Sequence, residues 1–237
     1  MKLMKFQAMA LFIALCATLG AVQQSYAGDY TGNFVARVGV TGVLPQTDFE
    51  SVDLVGLGPI PGASADVDDA IVPSLTLAYF VNQNIAIELF CCFAQHGVDG
   101  RGSLSGLELG ETWIFPPALT LQYHFNPVNG MKPYVGAGVQ YINFFDTSSE
   151  IGGKLDIDEA WGFTLQAGAY FELGRGWYLN GDLKYTFLET DAHFRGALGG
   201  AADIDTEFKL NPLIATLAIG YRFDLFGRRS VPLEPMK

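Results

Sequence analysis

Five charged side chains stand apart in a chain that carries few: Arg37, Glu88, Asp182, Lys184 and Arg222. They lie in apolar or glycine-containing stretches, "FVARVGV", "AIELF", "LNGDLKY" and "IGYRF". Acids and bases in such surroundings are tolerable only if folding brings them together, because a buried charge without a partner is expensive. Gln122, Gln140 and Gln166 occur in similar settings, and each amide both donates and accepts. Other residues carry different chemistry. His96, His124 and His193 are the three histidines. A nucleophilic or acid–base role would need a serine or acid within hydrogen-bond reach, and no G-x-S-x-G motif is present, so catalysis is not expected. Three acidic clusters occur: Asp66-Val67-Asp68-Asp69, Asp156-Ile157-Asp158-Glu159 and Asp203-Ile204-Asp205-Thr206-Glu207. On extended backbone, residues two apart share a face, so each cluster offers two carboxylates to a hard cation. Without a glycine-anchored calcium-loop spacing, a solvated acidic rim is expected, with divalent ions shared with anionic surface lipid as a secondary role. The adjacent Cys91 and Cys92 would point to opposite faces of a strand and cannot bridge without strain, and C-C is not C-x-x-C. No cofactor or resident metal is expected.

These side chains must be positioned by strands. Eight segments alternate with a period of two: Asn33–Val40, Ile71–Val81, Ile85–His96, Thr112–Phe125, Lys132–Asp146, Glu159–Glu172, Trp177–Asp191 and Phe208–Phe223. In "IFPPALTLQYHF", Phe115, Leu119, Leu121, Tyr123 and Phe125 share one face, while Thr120, Gln122 and His124 share the other. In the last segment Leu213, Ala215, Leu217, Ile219, Tyr221 and Phe223 oppose Thr216, Ala218, Gly220 and Arg222. Most segments are long enough to cross a bilayer as tilted strands, which takes about 9–11 residues. Connections alternate between tight turns (Asn82–Asn84, Asn126–Met131, Leu173–Gly176) and long links (41–70, 97–111, 147–158, 192–207), the signature of an up-and-down barrel.

The less apolar face decides which way the sheet is turned. It carries Gly, Thr, Gln, Asn and the few charges named above, whereas the outside of a soluble sheet would carry many Lys and Glu. Only 16% of the chain is charged, against 49% hydrophobic. The apolar face is therefore expected to meet lipid, and Arg37, Glu88, Gln122, Gln140, Gln166, Asp182, Lys184 and Arg222 to line a lumen. Aromatics gather near strand ends, as interfacial girdles do. No apolar run reaches 18 residues, so no spanning helix is implied. The expected fold is an all-β, eight-stranded antiparallel transmembrane up-and-down barrel.

Lys2 and Lys5, the apolar run from Ala8 to Val22, and Ser25-Tyr26-Ala27 form a signal-peptide pattern. The expected organisation is a signal peptide at residues 1–27, a barrel at 28–223 and a periplasmic tail at 224–237. Without the leader, twelve basic residues face 25 acidic ones. That balance argues against nucleic acid as a partner, since phosphate binding needs a basic footprint.

Several stretches then resemble the OmpW family of outer-membrane proteins. "ETWIFPPALTLQYHF" followed by "KPYVGAGVQYINFFD" is similar to its most recognisable segment, and "NQNIAIELF" to its turn and third strand. "DEAWGFTLQAGAYFEL", "WYLNGDLKY" and "LNPLIATLAIGYRF" resemble its last three strands. The resemblance implies a narrow, largely hydrophobic channel in the outer membrane of a Gram-negative bacterium, with lipid and lipopolysaccharide around it. It also implies passive uptake of small hydrophobic molecules; the alternative is a surface-interaction barrel with a plugged lumen. The 14 residues after Phe223 depart from a barrel that ends on an aromatic residue. Trp161, in the segment matching the family's A/S-W-G, is the candidate gate. Pro116 and Pro117 lack ladder donors and mark an expected weak point in the wall, through which a solute would leave sideways.

Overall fold

The computed structural model describes residues 33–55, 58–200 and 202–224. The expected signal peptide, and all of the expected tail after Asp224, lie outside the described residues. In chain order the strands are β1 (Phe34–Leu44), β2 (Asp48–Leu54), β3 (Gly58–Pro59), β4 (Ala63–Val67), β5 (Ala70–Phe80), β6 (Ile85–Cys92), β7 (Ala94–Gly102) and β8 (Glu108–Phe115). They continue with β9 (Ala118–His124), β10 (Met131–Ser149), β11 (Lys154–Ile157), β12 (Ala160–Gly174), β13 (Trp177–Phe187), β14 (Glu189–Gly196), β15 (Ala202–Lys209) and β16 (Leu213–Phe223).

Eight of them close a barrel. The order β1-β5-β6-β9-β10-β12-β13-β16 runs antiparallel throughout, and β16 pairs back onto β1 from Phe34↔Phe223 to Leu44↔Leu213. Closure leaves no strand edge in the hydrocarbon, which a spanning sheet requires. Turn chemistry sets the hairpins at one end. Asn82 Oδ1 accepts the backbone N–H groups of Asn84 and Ile85, each at 2.8 Å. Asn129 and Gly130, and Gly174 to Gly176, adopt positive φ, which Gly and Asn reach at least cost.

The alternation sorts the faces as expected. Leu119, Leu121, Tyr123, Phe163, Leu165, Leu183 and Leu217 are exposed on the outside, while Thr120, Gln122, His124, Thr164, Gln166 and Lys184 are buried inside. The exposed apolar band is the surface that meets lipid. It is flanked at the turn end by Tyr123, Phe125, Phe171, Trp177 and Tyr221, and at the other end by Phe93, Phe115, Phe145 and Trp161. Trp177 packs on Tyr221 with centroids 5.1 Å apart. Glycine lets the interior side chains approach the wall. A Cβ added at Gly168 would stand 2.4 Å from the Tyr134 hydroxyl oxygen and 2.6 Å from the Gly181 carbonyl oxygen. Gly168→Val is therefore expected to lower stability by about 1–3 kcal/mol, the usual range for overpacking. A lower urea midpoint for unfolding from lipid vesicles would register it.

The structure corrects the expected long links. The segments 41–70, 97–111, 147–158 and 192–207 are largely strand, and four of the expected strands are each two. They break at Phe93, Pro116-Pro117, Leu188 and Leu210-Asn211-Pro212. The causes are local. Two of the breaks carry prolines, and Asn211, at φ 32°, turns its side-chain oxygen to the Leu188 N–H at 3.1 Å. Beyond these breaks the chain builds two outer sheets. One continues from β10 through β8 and β7 to β4; the other is β11-β14-β15-β2-β3. They share one apolar cluster that includes Ala65, Leu109, Ile114, Leu155, Phe194, Ile204 and Phe208. Burial of this cluster, not the turns, is what holds strands beyond the membrane.

Candidate functional site

The barrel interior is layered. In its middle, β1, β6, β9, β12 and β13 each direct polar side chains inward, and the structure brings most of the sequence-identified charges together. Glu88 is fully buried. Its carboxylate pairs with Arg37, accepts from Gln122 Nε2 at 2.5 Å and Gln166 Nε2 at 2.9 Å, and lies 3.0 Å from Lys184 Nζ. Asp182 accepts from Tyr134 Oη at 2.5 Å, Gln166 Nε2 at 2.6 Å and Lys184 Nζ at 2.5 Å. Arg37 also donates to Asn180 Oδ1 at 2.8 Å. Two cations thus meet two anions, and the donors around each carboxylate make burial affordable, as a buried ion cluster requires.

The other named residues flank this floor. Gln140 lies toward the outer end, donating to the Pro116 carbonyl at 3.1 Å and accepting from Thr186 Oγ1 at 2.6 Å. Arg222 lies toward the turn end, its guanidinium 4.1 Å from the centre of the Phe80 ring. Below the floor, Phe80, His124, Tyr134, Tyr170 and Tyr178 pack together, with His124 4.8 Å from Tyr134 between ring centroids. These side chains fill the lower lumen, as the narrow interior of an eight-stranded barrel allows.

Above the floor, buried hydroxyls bond one another, Thr41 with Ser74 at 2.7 Å and with Thr216 at 2.8 Å, and Thr164 with Thr186 at 2.8 Å. Beside them Val43, Phe90, Cys92, Ala118 and Ile214 form an apolar cluster. A neck of about 30 Å³ follows, lined by residues including Val43, His96, Pro116, Gln140, Phe208 and Ile214. It shares Val67, Val98, Ile157 and Phe208 with a chamber of about 190 Å³ between the two outer sheets. Every side chain around the chamber is apolar except Thr206. The acidic clusters are the outer face of the same strands. Asp66, Asp156 and Asp205 turn to water, while Val67, Ile157 and Ile204, one residue along, line the chamber. The acids find cations there. Asp66 pairs with Arg101 at 3.0 Å, Asp156 with Lys154 at 3.0 Å, and Asp205 with Arg195 at 2.7 Å. Hydrogen bonding from His193, then from Arg195, holds the Asp205 carboxyl below the usual carboxylate range.

A hydrophobic vestibule under the acidic outer segments is expected from the sequence, but the residues that line the chamber were not identified there, although their signal was present. Alternation continues through "KLDI" and "ADIDTEFK", but their acids and their place between strands make them look like loops.

On the β6 side of Pro116-Pro117 the strand ladder is interrupted, while on the β10 side the Tyr141 N–H still donates to the Pro117 carbonyl at 3.0 Å. Pairing of β6 with β9 stops at Phe90↔Ala118, and pairing of β7 with β8 starts at Ala94↔Ile114. Pro116 and Pro117 lie within that interval. On the other side of β6, pairing with β5 stops at Ser74↔Cys92, next to Pro73. Above it, the β4–β7 ladder runs one residue past Val67↔Val98, the Asp68 N–H donating to the Gly97 carbonyl at 3.0 Å just before β5 begins. Phe93, more than half exposed, covers this break from outside, stacked 4.9 Å from Phe115. Pro73 and Phe93 were not singled out in the sequence: Pro73 carries the same missing-donor signal as Pro116 and Pro117, whereas Phe93 looks like an ordinary strand residue there. Trp161 lies elsewhere: it is 70% exposed on the outer face, 4.9 Å from the Tyr141 ring, and lines neither neck nor chamber.

Comparison with known proteins agrees with this architecture. Outer membrane protein AlkL of Ectopseudomonas oleovorans is 32% identical over 199 residues, covering 83% of this chain and 85% of that protein. The Dibenzothiophene metabolism operon protein PahQ of Pseudomonas aeruginosa is 31% identical over 190 residues, covering 79% of this chain and 87% of its own. The crystal structure of the outer membrane protein OprG from Pseudomonas aeruginosa superposes with a TM-score of 0.76 at 27% identity, covering 84% of this chain and all of OprG. With the OmpW family matching residues 30–223, the closed eight-stranded barrel and its apolar belt have one attribution: the chain belongs to the OmpW family and is an outer-membrane protein of a Gram-negative bacterium.

Proposed function

We propose that the protein lets small hydrophobic molecules cross the outer membrane passively, entering the chamber between the outer sheets and leaving sideways through the wall at Pro73, Phe93 and Pro116-Pro117. The observation that carries this reading is the sequence of environments along the barrel axis. An apolar chamber leads to an apolar neck, and the neck ends on a floor whose charges are all paired. An apolar solute crossing that floor would separate hydrogen-bonded partners and leave them unpaired, at a cost of several kcal/mol. Lipid beyond a break in the ladder offers the solute an environment as apolar as the chamber. The relative whose name places it in a dibenzothiophene metabolism operon supports an apolar cargo. The acidic outer rim faces the lipopolysaccharide leaflet, with its lysines and arginines already engaged by its own acids. Pro116 and Pro117 act as the weak point; Trp161, outside the passage, serves as an interfacial anchor.

The test is naphthalene influx into cells lacking the protein and into the same cells complemented with it, alongside single-channel recording of the purified barrel. Severalfold faster influx without ion conductance is the expected pair of results. Steady ion conductance would assign the route to the lumen instead, and unchanged influx would end the proposal.

A further inference from the structure

Among the described residues that line the chamber and neck, one buried polar side-chain atom has no hydrogen-bond partner in the protein. His96 and Thr112 face each other across the β7–β8 ladder, and both side chains line the neck. His96 is buried, with Nδ1 2.6 Å from the Asp68 carbonyl oxygen. A carbonyl only accepts, so Nδ1 carries the ring proton and donates. Burial in this apolar surround pushes the imidazole below its ordinary value, so the ring is neutral and Nε2 presents a bare lone pair. That nitrogen is buried and lacks a hydrogen-bond partner. The other polar groups of the neck are engaged. Gln140 is held by Pro116 and Thr186, and the Thr112 hydroxyl donates to the Trp113 carbonyl at 3.3 Å.

The two spaces beside His96 differ in size and chemistry. The neck, about 30 Å³, holds about one small polar group. The chamber, about 190 Å³, exceeds the roughly 150 Å³ that admits benzene in an engineered protein cavity. A wholly hydrocarbon solute would fill the chamber and leave the buried acceptor unsatisfied, whereas a solute with one donor would satisfy it. We infer that the chamber and neck form a binding site for apolar molecules bearing a single hydroxyl, phenols being the fitting class, with the ring in the chamber and the hydroxyl donating to His96 Nε2. This rests on the reading of the chamber as the entry of a hydrophobic passage and names the solute that it favours.

Phenol and toluene, similar in shape but differing in a hydroxyl against a methyl, are the probes. Each is titrated into the full mature protein in lipid nanodiscs, with ¹⁵N-labelled histidine followed by NMR. Phenol is expected to bind about fivefold more tightly than toluene, the worth of one hydrogen bond, and to move the His96 Nε2 resonance from its free-acceptor position. His96→Leu is expected to erase the preference while toluene still binds. Equal affinity for both probes, with Nε2 unmoved, would overturn the phenol assignment and leave the hydrophobic passage standing. Binding of neither would overturn both. The Nε2 measurement is made on the unaltered protein, so the result does not depend on the variant folding.

Discussion

Replacing Glu88 with leucine is expected to lower the stability of the barrel by about 3–5 kcal/mol, the usual cost of removing one partner from a buried ion pair. The direction follows from what the carboxylate holds. Arg37, Lys184, Gln122 and Gln166 all converge on it. Without it Arg37 keeps its bond to Asn180, and its Nε already lacks a partner. A guanidinium left in the middle of a membrane barrel cannot reach water, so the charge is stranded. Lys184 retains Asp182, which is why Arg37 is the main casualty. Urea unfolding from lipid vesicles, followed by the mobility shift between folded and unfolded barrel on gels, measures the loss. A wild-type midpoint for Glu88→Leu would show that the floor does not hold the barrel together. Removing both charges, as in Glu88→Gln with Arg37→Met, should recover much of the stability, because the penalty lies in the unpaired ion more than in the absent pair. The single variant should also loosen the floor enough to admit ions, so a conductance absent from the wild type is expected to appear.

The second large effect concerns transport. Pro116→Val with Pro117→Val restores two backbone N–H groups to the β8–β9 junction. Each new ladder bond is worth about 1 kcal/mol, so opening the wall should cost about 1–2 kcal/mol more and influx of a hydrophobic solute should fall by about 5–30-fold. Barrel assembly should be unaffected, since the surrounding ladders of β9 and β10 already pair from Tyr134↔His124 to Gln140↔Ala118. Pro73→Val is the companion variant, because Pro73 lies where the β5–β6 ladder stops. If influx falls only with Pro73→Val, the solute leaves on the β5 side of Phe93. If neither variant changes influx while naphthalene still enters faster than without the protein, lateral exit is wrong.

Much of the fold was legible because a two-sided wall writes its register into every second residue. Lipid demands apolar side chains on one face with no interruption, and a narrow lumen demands small or paired polar ones on the other, so Leu119, Leu121 and Tyr123 separate from Thr120, Gln122 and His124 without any tertiary information. The sparse charges were informative for the same reason: Arg37, Glu88, Asp182 and Lys184 can lie on inward positions of separate strands only if they meet. The pairing itself was not legible. Glu88 and Arg37 are 51 residues apart and Gln166 is 78 from Glu88, and which partners meet depends on the stagger of strands around a closed barrel.

The chain's own pattern thus determined the strands, their inward and outward faces, and their destination in the outer membrane, because burial against lipid is a local demand repeated at each position. Only the tertiary structure decided that the acidic outer segments are strands and that Val67, Ile157 and Ile204 turn inward between acids to build a chamber. Such an inner face exists only once a second sheet closes over it. The same holds for the wall. Pro116 and Pro117 signal a local loss of donors wherever they occur, but a break needs neighbours that fail at the same height, and only strand register sets Pro73 and Phe93 beside them.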